Sequence, residues 1–222
     1  MENHKTYKRL VDYVRKRVME GRLKPGDRLP TERELAVQLQ ISRNSLREGM
    51  RLLENIGIIT SIQGSGNYLS GNFNETMAEM LSFMYFIKGM DEQQITEFRW
   101  AIEREALPLA IERITAQEKT DLQQLLDLLI NAQDESLQID YDRRLHSLII
   151  HASRNDLLIS SYDALAGFMD TYIQSMRRKI IRKMNDRKML EKAHENLALG
   201  VIEGDLKKAL TGLKNHYTYI NL

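Results

Sequence analysis

Beyond residue 74 the chain reads as one helical stretch after another, and this most limits what it can fold into. Apolar residues recur at helical spacing through 75–88, 91–113, 116–133, 137–153, 156–183, 186–203 and 205–220, with no strand-like alternation between them. Such helices must bury their apolar faces against each other. Residues 75–222 are therefore expected to form an all-α bundle of about six to seven helices. Asp91, Thr115 (with Glu118 as a capping box) and Asp205 suit the N-caps of three of them. Pro108 is expected to interrupt the second stretch, since proline lacks the N–H that an inner helical position donates.

Residues 1–70 follow another plan. Lys5–Glu20 is helical by the spacing of Tyr7, Leu10, Val11, Val14 and Val18, and Gly21 ends it. Leu23–Pro30 reads as a turn with Pro25-Gly26 at its corner. Thr31 and Glu34 form a capping box for a short helix carrying Leu35, Ala36 and Leu39. Ser42 caps the next helix, which runs through Leu46, Met50 and Leu53 to Asn55. Residues 58–62 and 67–70 are strand-like, joined by the glycine-rich hairpin Gln63–Gly66. The sum is a mainly α chain: a winged helix-turn-helix over 1–70, a small polar linker at 71–74, and the helical bundle from 75.

Charge follows the same division. The 222 residues carry a formal net charge of +1. Residues 1–70 hold 13 Lys/Arg against 8 Asp/Glu, a net of +5, and the remainder holds 19 against 23, a net of −4. A basic head on an acidic body points to a polyanionic partner for the head alone. With no cysteine, disulfides, thiolate metal sites and a cysteine nucleophile are excluded. The N-terminus lacks an apolar signal core. The most apolar run, Met77–Ile87, contains Glu79 and falls short of the about 20 residues that span a bilayer. A cytoplasmic protein with no membrane partner is expected.

The head carries chemistry suited to DNA. The helix beginning Ser42-Arg43-Asn44-Ser45-Leu46-Arg47 would present its first turn to the major groove. Arg43 and Arg47, at i and i+4, share a face opposite the apolar stripe. Arginine suits guanine and phosphate, and Asn44 suits adenine. Arg33 is placed for a phosphate, and at the hairpin tip Gln63-Gly64 brings backbone close to DNA. Taken in order, Leu23-x-Pro25-Gly26-Asp27-x-Leu29-Pro30, Thr31-Glu32-Arg33-Glu34-Leu35-Ala36, Ser42-Arg43-x3-Arg47-Glu48, Leu53-Glu54-x2-Gly57 and Gly64-x-Gly66 resemble the winged helix-turn-helix of the GntR family of bacterial transcription regulators. Asn44-Ser45 replaces the Thr-Pro or Thr-Thr of many members, so no operator sequence carries over.

The body offers a second constellation. Of five histidines, His4 lies at the terminus and His151 projects about 140° round its helix from His146. Asp142 and His146 are one turn apart. Gly204 falls near the middle of the interval between His194 and His216. At about 1.5 Å of rise for each residue, a turn at Gly204-Asp205 returns the two to nearly the same height. The hinge at Asn155 gives similar arithmetic for His146. One carboxylate and three imidazoles can thus converge, a donor set for a divalent ion such as Zn, Ni, Mn or Fe. A helical histidine is ordinarily a satisfied or surface residue, so spacing alone leaves both readings open.

A further resemblance bears on this set. Glu97-x-Arg99-x3-Glu103 with Leu109-Ala110, Asp142-x3-His146 with Ala152-Ser153-x-Asn155, and His194-Glu195 with Glu203-Gly204-Asp205-x3-Ala209-x6-His216 resemble the effector-binding FCD domain of the FadR subfamily. The resemblance implies that Asp142, His146, His194 and His216 bind one metal ion, that Arg99 faces the pocket, and that the chain is a homodimer. It further implies a repressor on palindromic operator DNA that responds to a small carboxylate. Leu145 stands where Phe is common. Two rival readings of the cluster are a metalloenzyme centre, for which no dedicated general base or nucleophile motif lies nearby, and a purely structural metal.

Overall fold

The computed structural model describes residues 2–71, 73–89, 91–172 and 187–220. The chain divides into two compact units, Met1–Met77 and Ala78–Leu222. Among the described residues there are ten helices and one two-stranded sheet. The expected helical residues 173–183 and 186 lie outside the described residues.

In the first unit α1 (Glu2–Met19), α2 (Glu32–Leu39) and α3 (Arg43–Asn55) precede β1 (Ile59–Ile62) and β2 (Gly66–Leu69). Leu10 and Val14 of α1, Leu35 of α2, and Leu46, Met50 and Leu53 of α3 build its core with Leu23, Leu29, Ile59 and Leu69. Val18 completes the helical spacing of α1 but is exposed, because it lies in the last turn, past the core. The Thr31–Glu34 capping box forms as read, with Glu34 N donating to Thr31 Oγ1 and Thr31 N to Glu34 Oε2. Gln40, left-handed at φ 52°, reverses the chain between α2 and α3. β1 and β2 pair antiparallel, Ile59 opposite Leu69. The 23–30 segment is more than a turn: Leu29 N donates to Asn67 O and Leu69 N to Asp27 O, so it extends the wing as a third partner.

The second unit holds the greater part of α4 (Asn74–Lys88), then α5 (Glu92–Arg113), α6 (Ala116–Asn131), α7 (Glu135–Ala152), α8 (Asp156–Tyr172), α9 (Arg187–Glu203) and α10 (Leu206–Ile220). Leu122, Leu125, Leu126 and Leu129 line one face of α6 at i, i+3, i+4 and i+7. They pack with Leu107, Leu145, Ile149, Leu197, Val201 and Leu213 in the main core. Each such leucine contributes about 1.5–3 kcal/mol when fully buried. Helix α7 starts before residue 137 because Asp134 accepts from Ser136 N and Leu137 N. Pro108 does not interrupt α5, which runs through it. One backbone hydrogen bond is forgone there, while the adjoining Ala106, Leu107 and Ala110 are buried on its inner face.

Helices α9 and α10 form an antiparallel hairpin that turns at Gly204 and is capped by Asp205, whose Oδ1 accepts from Lys208 N at 2.9 Å. Two glycines let them approach backbone to backbone. A Cβ on Gly200 would lie 2.7 Å from Ala209 Cα, and one on Gly212 would lie 2.7 Å from Ala193 O. Neither neighbour is the end of a flexible side chain, so the helices themselves would have to separate. Gly212→Ala should therefore lower unfolding free energy in urea by about 3 kcal/mol. A variant as stable as the parent would show that the hairpin tolerates a wider spacing.

Candidate functional site

Three helices of the second unit bring the acid and the imidazoles together. Asp142 and His146 come from α7, His194 from α9 and His216 from α10. One ligand atom from each lies within 4.8 Å of the others. Asp142 Oδ1 is the hub, 2.8 Å from His194 Nε2, 3.3 Å from His216 Nε2 and 3.7 Å from His146 Nε2. All three imidazoles are buried and Asp142 is partly buried. Ligand bonds of about 2.1 Å place opposite ligands about 4.2 Å apart, so little contraction would gather the four atoms on one ion. His146 Nε2 and His216 Nδ1 are buried without a hydrogen-bond partner among the described residues. Burial, together with His146 and His194 nearby, lowers His216 to about 3 against the pull of Asp142. It is therefore neutral at ordinary pH, the form that ligates metal. An orphaned ring nitrogen aimed at a carboxylate between two other imidazoles fits a bound cation.

Behind the cluster stands Glu103 of α5, which sequence reasoning quoted only as part of a motif. Its Oε2 faces His146 Nδ1, and its Oε1 accepts from Arg99 Nε at 2.6 Å and Tyr217 Oη at 2.7 Å. Burial pushes the Glu103 carboxyl up, but His146, Arg99 and the hydrogen bonds from His146 and Tyr217 hold it well below the usual carboxylate range. An ionised carboxylate only accepts, so His146 Nδ1 must donate, and in the neutral ring this leaves the Nε2 lone pair on the Asp142 side. Burial likewise raises Tyr217, which stays a hydroxyl donor. The signal in the sequence was its position four residues after Arg99, on the same helix face.

Arg99, expected to face a pocket, is 6 % exposed. Its guanidinium carbon lies 5.8 Å from the ring centroids of both Tyr162 and Tyr217, and its Nε is held by Glu103. His151, set aside on angular grounds, sits away from the cluster and meets Asp163 at 3.1 Å.

In the first unit, Arg33, Arg43, Asn44 and Arg47 are exposed, as are Gln63 and Gly64 at the wing tip. Gly64 adopts φ 75°. The hydroxyls of Ser42 and Ser45 meet each other at 2.9 Å, and Ser42 Oγ accepts from Ser45 N, so this pair first of all caps α3. Arg47 lies 3.4 Å from Glu32 of α2, a pairing across the helix-turn-helix that single-helix periodicity does not reveal.

A winged helix-turn-helix with exposed arginines, joined to a helical unit that gathers an acid among three buried histidines, defines the class of DNA-binding transcription regulators. Residues 6–69 match the gntR family of bacterial regulatory proteins, and residues 94–219 match the FCD domain. The chain belongs to the FCD-containing, FadR-type branch of the GntR regulators, and is a transcription regulator, not an enzyme. It is 28 % identical over 209 residues to the HTH-type transcriptional regulator LutR of Bacillus subtilis, covering 91 % of this chain and 94 % of that protein. It is 25 % identical over 216 residues to the putative L-lactate dehydrogenase operon regulatory protein of Escherichia coli, covering 96 % and 83 %. A GntR structure from Streptococcus agalactiae shares the fold with a TM-score of 0.68 at 21 % identity, covering 98 % of both chains.

If Glu103 orients His146, Glu103→Gln, which keeps the shape but removes the charge, should weaken Zn²⁺ binding about 10–100-fold and, by leaving Arg99 buried without its countercharge, lower the melting temperature of the metal-free protein. Competition against a fluorescent chelator measures the affinity, and circular dichroism checks the fold. Unchanged affinity would separate Glu103 from the cluster.

Proposed function

We propose that this regulator is a repressor that binds a palindromic operator as a homodimer and senses a small organic acid through a metal-containing site. The observation that carries the sensing half is the buried Asp142/His146/His194/His216 cluster, backed by Glu103 and Arg99. A divalent ion held by those four residues would supply an electrophilic position for a carboxylate oxygen. Arg99 lies one carboxylate away from the cluster and supplies a permanent positive charge for a second oxygen. The name of the Escherichia coli relative supports a short hydroxy acid such as lactate as the first candidate. No cysteine competes for the ion, and the N₃O donor set favours Zn, Ni, Mn or Fe over Mg or Ca.

The DNA half rests on the exposed first turn of α3 and on the wing tip. Arg43, Asn44 and Arg47 read base edges, Arg33 and the Gln63-Gly64 backbone meet phosphates, and Ser42 and Ser45 hold the first turn in register. Effector occupancy biases the helical unit between two arrangements, and residues 71–74 pass this bias to the head, with a coupling of about 1–3 kcal/mol. A metal that only stabilises the fold is the second reading, favoured by the burial of all three imidazoles.

Fluorescence anisotropy on an operator fragment separates these parts. Arg43→Ala should cost about 1–3 kcal/mol of operator affinity and leave metal content unchanged, and parent affinity should fall steeply with salt. L-Lactate with Zn²⁺ should shift the parent's affinity by about 5–150-fold, and His194→Ala should bind operator but not respond. A response that survives both His194→Ala and Arg99→Ala would sink the sensing site. A metal-dependent melting temperature with no organic acid changing DNA affinity would leave the metal structural.

A further inference from the structure

Arg28 stands between the motif residues Asp27 and Leu29, a position to which the sequence assigns no role, and the fold carries it onto the wing. The segment around it pairs with β2: Gly26 N donates to Leu69 O, Leu69 N to Asp27 O and Leu29 N to Asn67 O. Arg28 itself lies opposite Tyr68. Side chains alternate along an extended strand. Leu29 and Leu69 are buried in the core of the head, so Arg28 and Tyr68 project from the other face of the sheet. Gly66, two residues before Tyr68, shares that face.

The Arg28 side chain reaches across to the start of β2. A Cβ on Gly66 would lie 3.0 Å from Arg28 Nε and 3.3 Å from its Nη2. The guanidinium therefore rests over the Gly66 backbone, in space that a side chain at Gly66 would fill, directly after the wing tip Gly64-Ser65. It also faces the first turn of α2. Glu34 is held below the usual carboxylate range by hydrogen bonds from Thr31 and, beyond these, by the charge of Arg28. That carboxylate is committed to capping α2. Arg28 is exposed and forms no salt bridge with any carboxylate among the described residues.

A permanent cation is thus fixed between two elements placed against the DNA backbone, the α2 turn that carries Arg33 and the wing tip at Gln63-Gly64. The anion that fits it is a phosphate of the strand running between them. Base edges fall to the first turn of α3, whereas Arg28 belongs to the third strand of the wing, behind its tip. Because the guanidinium already rests on backbone, little side-chain freedom is lost when it binds.

We propose that Arg28 is a DNA-contact residue of the wing, its guanidinium taking a phosphate oxygen of the bound duplex. This rests on the placement of the α2 turn and the wing tip against the backbone. The contact carries no base preference, since phosphates are alike in every sequence. It releases about one counterion, so it contributes about eightfold in affinity at about 0.1 M salt and almost nothing at about 1 M.

The test is the salt dependence of binding by the full chain to a fluorescein-labelled duplex of arbitrary sequence, read by fluorescence anisotropy. Arg28→Gln keeps the length of the side chain and removes its charge. The slope of log affinity against log salt should become shallower by about one, and affinity at about 0.1 M salt should fall about eightfold. Arg28→Lys, which still offers a point charge to a phosphate, should recover the slope. All three proteins should melt at the same temperature. A Gln variant with the parent's slope overturns the proposal, whatever its melting temperature. So does a Lys variant as shallow as the Gln variant, which would trace the loss to wing packing rather than to charge. Arg33→Ala separates this contact from the placement it rests on. If it lowers the slope and Arg28→Gln does not, only the Arg28 contact falls. If neither lowers it, the placement of the head against the backbone falls as well.

Discussion

The backbone-to-backbone approach of α9 and α10 is the contact on which the helical unit depends. His194 and His216 belong to different helices, far apart in sequence, yet their ring centroids are 4.6 Å apart. A side chain at Gly200 or Gly212 would meet the backbone of the facing helix and force the two helices apart. The same approach sets Leu197, Val201, Ala209 and Leu213 into one core with α6. Packing and site geometry are therefore one constraint: the glycines that allow a dense core also bring two imidazoles to one carboxylate oxygen.

Glu103 carries the next layer of that constraint. Burying a carboxylate in a helical core is costly unless its lone pairs are used, and here Arg99, Tyr217 and His146 all use them. Arg99 supplies the countercharge, Tyr217 ties α10 to α5, and His146 takes its ring orientation from the same group. Two buried charges on α5 are thus neutralised locally, while a ring on α7 and a hydroxyl on α10 are held in register with them. Removing either charge would leave the other buried and uncompensated, so Arg99 is structural before it is anything else.

How much of this was legible in the sequence depended on whether the interaction was local. The helix caps at Thr31, Asp91 and Thr115 and the leucine face of α6 lie within a single helix or its first turn, and all formed as their spacing indicated. The common level of His194 and His216 was legible because helices have a fixed rise and the turn at Gly204 could be placed. The Asn155 hinge leads from His146 into α8, which adds no residue to the cluster, and only the family resemblance joined Asp142 and His146 to the pair. Three features were not legible. The pairing of Asp27 and Leu29 with β2 joins segments well separated in sequence, and a Pro-Gly corner carries no mark of it. The Arg47–Glu32 pair crosses between two helices whose relative angle no periodicity gives. The passage of α5 through Pro108 reflects tertiary burial overriding a local preference.

The cluster adds a polar link between helices that already share one core. Its four residues belong to α7 and to the α9–α10 hairpin, and Glu103 adds α5. These are the helices that share the main core, so a small displacement at Asp142 must be met by all of them, because a close-packed interior does not deform one helix at a time. A cation in the cluster would replace the repulsion between three crowded imidazoles by bonds to each, and an acid ligating that cation would add a charge beside the Arg99–Glu103 pair. Both events act on the same carboxylate-centred array. That makes the array, rather than any single ligand, the element whose two states an effector would have to distinguish.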